Sequence, residues 1–144
     1  MSAQESSPSP AQIVQSMMAR DYHSQWLGLQ IEKVDYGYCK LSFRVTRDML
    51  NGFATIHGGM LFAASDSAFA FACNSYGKVT VALDVNISYA RPAKEGEVLT
   101  VEAKELHRGN KTGFYEVRCF NAAEELVSIF KGTAYQTSKL HEVQ

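Results

Sequence analysis

The chain has 144 residues and a mass of 16.0 kDa, and 46% of it is hydrophobic, which is enough to build the core of one ordinary domain. Fourteen basic residues interspersed with fifteen acidic ones leave a net charge of −1, so no block of charge is present to hold nucleic acid or an anionic membrane by bulk electrostatics. The three cysteines, Cys39, Cys73 and Cys119, are far apart and sit in apolar patterns; this gives neither a CxxC metal pair nor a disulfide framework and fits reduced thiols in a cytoplasmic protein.

The opening MSAQESSPSP is Ser-rich and contains proline, the composition of a loose tail over residues 1–10. No apolar segment precedes Arg20, the first basic residue, and no run approaches the roughly 20 residues of a membrane span, so neither a secretory signal nor a membrane partner is expected. Ser9 and Pro10 form an N-cap and first-turn pair, and Ile13, Met17, Met18 and Tyr22 recur at helical spacing to about Trp26, predicting a short lid helix. From Leu29 the period changes to two. Cys39, Leu41, Phe43 and Val45 alternate with Lys40, Ser42, Arg44 and Thr46, a half-buried strand paired with Leu29–Val34 through a turn near Asp35 and Gly37. Asn51-Gly52 marks another turn. Gly58-Gly59 then opens Met60–Tyr76, rich in Ala, Leu, Phe and Met and closed by Gly77, which reads as the long helix. Four more strands follow, Val79–Arg91, Gly96–His107, Thr112–Phe120 and Leu126–Thr137, separated by turns around Pro92, Gly109-Asn110 and Asn121. The order describes a single domain over 11–138 with a short tail at 139–144.

The long helix is apolar on nearly every side, whereas one antiparallel sheet buries only one of its faces. The expected architecture is therefore α+β, an antiparallel sheet wrapped around a central helix, with the remaining apolar surface covered in a symmetric dimer.

Within that helix stands one carboxylate, Asp66, in a stretch from Met49 to Gly77 otherwise free of Asp, Glu, Lys and Arg. Desolvation disfavours an ionised acid, so an acid kept there is a candidate for chemistry; the plainer alternative is a helix residue hydrogen-bonded to Ser or Thr. Gly58 and Gly59, at the helix start, leave backbone N–H groups at the positive end of the dipole with no side chain in the way, donors suited to an oxyanion or acyl carbonyl. His57 and Asn51 flank them. Gly58 and Asp66 are eight residues apart, or ~12 Å along a helix at 1.5 Å per residue, too far for one small reacting group to touch both in one subunit. Two antiparallel helices across a twofold axis would bring the start of one beside the middle of the other, making a composite site.

The stretch NGFATIHGGMLFAASDSAFAFACNSYG, with Arg91-Pro92 and RGNKTG further on, resembles the hotdog-fold acyl-CoA thioesterases of the PaaI type, associated with phenylacetic acid degradation, over about residues 20–137. That resemblance implies a hotdog fold, hydrolysis of phenylacetyl-CoA or a ring-hydroxylated relative, and a dimer of dimers. It implies that Asp66 activates water or attacks the thioester, that the Gly58 N–H polarises the carbonyl, that Asn51 lies near the attacking water and leaving sulfur, and that His57 orients the loop. Related enzymes carry Ser or Thr on the strand after the helix; here the equivalent is Ala82, with Thr80 on the same strand face as a substitute. Coenzyme A would bring phosphates, for which Arg91, Arg108, Asn110 and Lys111 stand at strand ends or in a turn. Phe53, Phe62, Phe69, Phe71, Tyr76 and Tyr89 are the aromatic candidates for an acyl pocket, the core or an interface. Thioester hydrolysis needs an oxyanion site and a base or nucleophile but no cofactor, and the four histidines lack metal-ligand spacing. Two alternatives compete: a hotdog enoyl-CoA hydratase or dehydratase using His57 as acid–base, and a non-catalytic acyl-CoA-binding module.

Overall fold

The computed structural model describes residues 6–143. Two short helices come first, α1 (Pro10–Met18) and α2 (Tyr22–Trp26), followed by the strands β1 (Gln30–Asp35) and β2 (Tyr38–Arg44). A 3-10 turn at Arg47–Met49 leads to the long helix α3 (Gly58–Asn74). The strands β3 (Lys78–Tyr89), β4 (Val98–Arg108), β5 (Thr112–Phe120) and β6 (Leu126–Leu140) complete the chain.

The six strands form one sheet in the order β1-β2-β4-β5-β6-β3, with every pairing antiparallel. Alternation sets which face turns inward. Cys39, Leu41 and Phe43 of β2, Leu99, Val101 and Ala103 of β4, and Tyr115, Val117 and Cys119 of β5 are buried, and α3 packs across all six strands. The approach is closest at Gly132, where an added Cβ would lie 2.8 Å from the Phe69 ring, so a residue without a side chain lets the helix sit down on β6. Phe69, Phe71 and Phe130 are fully buried, with Phe69 edge-on to Tyr115. This is the sheet wrapped around a helix that the apolar periodicity predicts.

Several boundaries differ. The expected lid helix is two helices, broken at Ala19–Asp21, because Asp21 starts a new helix by capping it. Of the expected tail 1–10, residues 1–5 lie outside the described residues, while Ser9 already caps α1 in a reciprocal box with Gln12 and Pro10 occupies its first turn. α3 ends at Asn74 rather than Tyr76, since the Ser75 N–H turns to Ala72 O, three residues back, at 3.4 Å and the Ser75 hydroxyl donates to the same carbonyl at 2.7 Å. β6 runs on to Leu140, which pairs with Lys78 of β3, and His141 folds back with its Nε2 2.6 Å from Asn74 Oδ1. Gln144 lies outside the described residues. Among the described residues no helix is long and apolar enough to cross a membrane.

Candidate active site

The loop before α3 is built from its own side chains. Asn51 folds it: Oδ1 accepts from the backbone N–H of Phe53 at 2.9 Å, the N–H of Thr55 at 3.3 Å and the Thr55 hydroxyl at 3.2 Å. With that oxygen occupied threefold, the side chain can offer the cleft only its Nδ2 donors, which meet no acceptor among the described residues. The His57 backbone N–H donates to Met49 O at 2.7 Å, fixing where the helix begins.

His57 is the N-cap of α3, and its Nδ1 accepts the Gly59 N–H at 2.9 Å. An imidazole accepting at Nδ1 carries its proton on Nε2 and presents a donor there, not a base. The same bond occupies the Gly59 donor, while Met60 and Leu61 donate to His57 O. The Gly58 N–H is thus the first-turn donor without an acceptor among the described residues, at the positive end of a 17-residue helix.

Gly58 is also held from the far side. The Tyr89 hydroxyl, at the end of β3, donates to Gly58 O at 2.9 Å, and a Cβ at position 58 would meet Tyr89 Cζ and the hydroxyl oxygen at 2.9 Å. A side chain at position 58 would push the Tyr89 ring aside and loosen this bond. Tyr89, weighed from sequence as an acyl-pocket aromatic, is a support for the donor; no local pattern reports a contact across 31 residues. Asn51, Ile56, Gly58, Leu61, Tyr89, Arg91 and their neighbours enclose a cleft of about 450 Å³. Arg91 pairs with Glu125 at 2.8 Å on its rim.

Asp66 does not line this cleft. It sits half-buried two turns further along α3, and burial first, then the Asp21 carboxylate, push its pKa above the usual carboxylate value. Helix donors do not offset this.

The remaining residues read from sequence fall elsewhere. Thr80 belongs to the C-terminal end of α3: its hydroxyl donates to Lys78 O at 2.9 Å and its backbone is clamped by Asn74, so within one chain it is tied away from the acid. Arg108 lies 3.6 Å over the Tyr76 ring and donates to Gln136, and with Lys111 and Thr80 it lines a narrow crevice at that same end. Asn110 and Lys111 are exposed in the β4–β5 turn. One chain therefore separates these groups into two sets, Asn51, Gly58 and Arg91 at the start of α3 and Thr80, Arg108 and Lys111 beyond its end, with Asp66 between. Of the aromatic candidates, Phe69 and Phe71 are core, Phe62 packs edge-on to Phe130, Tyr76 donates to Glu105, and Phe53 is exposed on the loop.

Residues 53–128, just over half of the chain, match the thioesterase superfamily. The chain belongs to that family. Acyl-coenzyme A thioesterase PaaI of Escherichia coli (strain K12) is 37% identical over 121 residues, covering 84% of this chain and 86% of the relative. The solved structure of the E. coli PaaI protein from the phenylacetic acid degradation operon superposes with a TM-score of 0.87 at 34% identity, covering 92% of this chain and 99% of that one. A hypothetical thioesterase from Streptococcus pneumoniae TIGR4, solved with coenzyme A, has a TM-score of 0.75 at 27% identity, covering 78% and 88%. The fold is the hotdog fold, and this thioesterase-superfamily chain is a hydrolase of the PaaI type.

Proposed function

We propose that the protein hydrolyses acyl-CoA thioesters, phenylacetyl-CoA or a ring-hydroxylated relative first among them, in a site shared by two copies of the chain. One observation carries this reading: the cleft at the start of α3 holds free donors, Gly58 N–H and Asn51 Nδ2, but no base, while the one acid of the helix stands eight residues on. β3 is an edge strand with Val81 and Leu83 exposed, and pairing it with a second copy is the way to set the Asp66 of one chain against the Gly58 of the other. The acyl group is argued from the E. coli relative and its operon. Association of two such dimers is carried over from the family alone. The three free, buried thiols suit work in the cytoplasm.

In this reaction the Gly58 N–H, with the helix dipole behind it, meets the thioester oxygen as charge develops there. Asp66 removes a proton from water, whose oxygen forms the new bond to the acyl carbon. The tetrahedral intermediate collapses with loss of the coenzyme A thiolate, which takes up a proton, and the free acid departs. Direct attack by the Asp66 carboxylate, through an anhydride that water then opens, ends in the same products. Asn51, able only to donate, fits a partner for the carbonyl or the leaving sulfur better than an acceptor for water. Arg91, and from the other chain Arg108, Asn110 and Lys111, are the candidate phosphate contacts. The His57 geometry argues against hydratase chemistry, in which the imidazole itself would move the proton.

The test is free-thiol release from aryl, short-chain and long-chain acyl-CoAs by the wild type beside Asp66→Asn. Turnover should be fastest with an arylacetyl thioester and fall by about 10²–10⁴-fold in the variant. Subunits of Asp66→Asn exchanged with Asn51→Ala subunits should recover activity that neither has alone; no recovery in a confirmed mixed dimer ends the shared-site model. Tight binding of acyl-CoA with no thiol released would instead favour a binding module.

A further inference from the structure

α2 is only five residues long, yet an ordered line of polar side chains runs from it into the central helix. Asp21 caps α2 with both oxygens: Oδ1 accepts the Ser24 backbone N–H at 2.9 Å and Oδ2 accepts the Ser24 hydroxyl at 2.6 Å. Ser24 is fully buried, and its Oγ lies 2.8 Å from Ser67 Oγ on α3. The direction of these bonds follows from the carboxylate. Ionised Asp21 only accepts, so the Ser24 proton points to it and Ser67 must donate in the next bond. The line runs Ser67 to Ser24 to Asp21, and it begins at the residue next to Asp66.

This arrangement uses polar groups where apolar packing would hold a short helix equally well. A buried serine bonded at both ends is satisfied, but the line delivers a second carboxylate to the neighbourhood of the first, and like charges oppose each other's ionisation. We propose that Asp21 is a positioning residue for Asp66, docking α2 on the middle of the central helix through Ser24 and Ser67 and holding a second negative charge beside the catalytic acid. The consequence is chemical. An acid whose ionised form is disfavoured binds a proton more firmly, and so is the stronger base toward water. Asp21 acts in the same direction as burial on Asp66. On its own helix Asp66 is felt by Cys73, whose thiol burial pushes up to about 12, leaving it neutral through the range in which a carboxylate titrates. Among the described residues Asp21 is the charge set against Asp66 from a packed element.

The proposal rests on the reading of Asp66 as base or nucleophile, and the test separates the two. In Asp21→Asn the cap acceptor remains and the charge is gone. The acidic limb of its kcat profile should move to lower pH, kcat near neutrality should fall about 3- to 10-fold with KM unchanged, and the carboxyl ¹³C titration of Asp66 should move down with it. Asp21→Glu, which restores the charge, should return the limb toward the wild-type position. Asp21→Ser, a neutral N-cap of another shape, gives the same comparison should the asparagine protein not fold. A folded Asp21→Asn or Asp21→Ser protein whose Asp66 titration coincides with wild type overturns the role of Asp21, even where Asp66→Asn is inactive. Full activity in Asp66→Asn overturns the reading beneath it, whatever Asp21 does.

Discussion

Asp66 shows how one residue can be kept against the interest of the fold. Its pKa is raised above the ordinary carboxylate value of 3.8 by burial and by Asp21, so the folded state holds a proton more firmly than the unfolded chain does. Below that ordinary value the residue is protonated in both states and carries no penalty. As pH rises through the window up to the raised value, the unfolded chain releases its proton first, and stability falls until both states are ionised. Replacing Asp66 by Asn removes this penalty while preserving shape. The variant should therefore melt higher than wild type near neutral pH, and the difference should close as pH falls toward the ordinary carboxylate value. Thermal unfolding of both proteins across pH, at one protein concentration, reads this directly. A variant that is no more stable at neutral pH would mean that Asp66 is not a desolvated acid.

At the scale of elements, the ends of α3 are set by side chains, and this decides how far the sequence could be read. Strands and long helix were open to inspection, because inward positions alternate in β2, β4 and β5 and because glycine and proline punctuate the turns. The break between α1 and α2 was hidden: Met17, Met18 and Tyr22 keep helical spacing across it, and only Asp21 as a cap betrays it. The C-terminal end of α3 was hidden for another reason. Asn74 Nδ2 donates to Ala70 O at 2.8 Å and to Thr80 O at 3.0 Å, while Oδ1 accepts the Thr80 N–H at 2.8 Å, so one amide imitates a strand and ties the helix to the start of β3. Nothing local announces a partner beyond the following turn. Asn74 is buried, and Asn74→Ala should leave Thr80 backbone groups without these partners and destabilise the fold by about 2–4 kcal/mol, given roughly 1–3 kcal/mol for each buried group left unpaired. Urea unfolding measures it, and a change under about 0.5 kcal/mol would show that water replaces the amide freely.

For the whole molecule, Asn51, His57 and Gly58 are near in the chain, so the loop that gathers them at the start of α3 is legible as a local neighbourhood. The sequence does not reveal what supports that loop and the acid's helix, because Ser24–Ser67 and Tyr89–Gly58 join residues 43 and 31 apart in the chain. The same limit applies at the outer edge of the sheet. β3 is 12 residues long and pairs on one side with β6, leaving its other edge open, with Leu83 61% exposed and Val81 48% exposed. A long edge strand bearing apolar side chains is a template for another strand, and lysine on such an edge is a common means of preventing that pairing. Leu83→Lys should therefore leave each chain folded, since Leu83 lies outside the core, while the proposed pairing through β3 is lost and the protein sediments as a smaller species than wild type. Thiol release should be lost together with the dimer, because a lone chain holds the Gly58 donor and the Asp66 acid ~12 Å apart along one helix. A Leu83→Lys protein that sediments as a monomer and still hydrolyses thioesters at the wild-type rate would place the whole reaction within one subunit and end the argument from the helix.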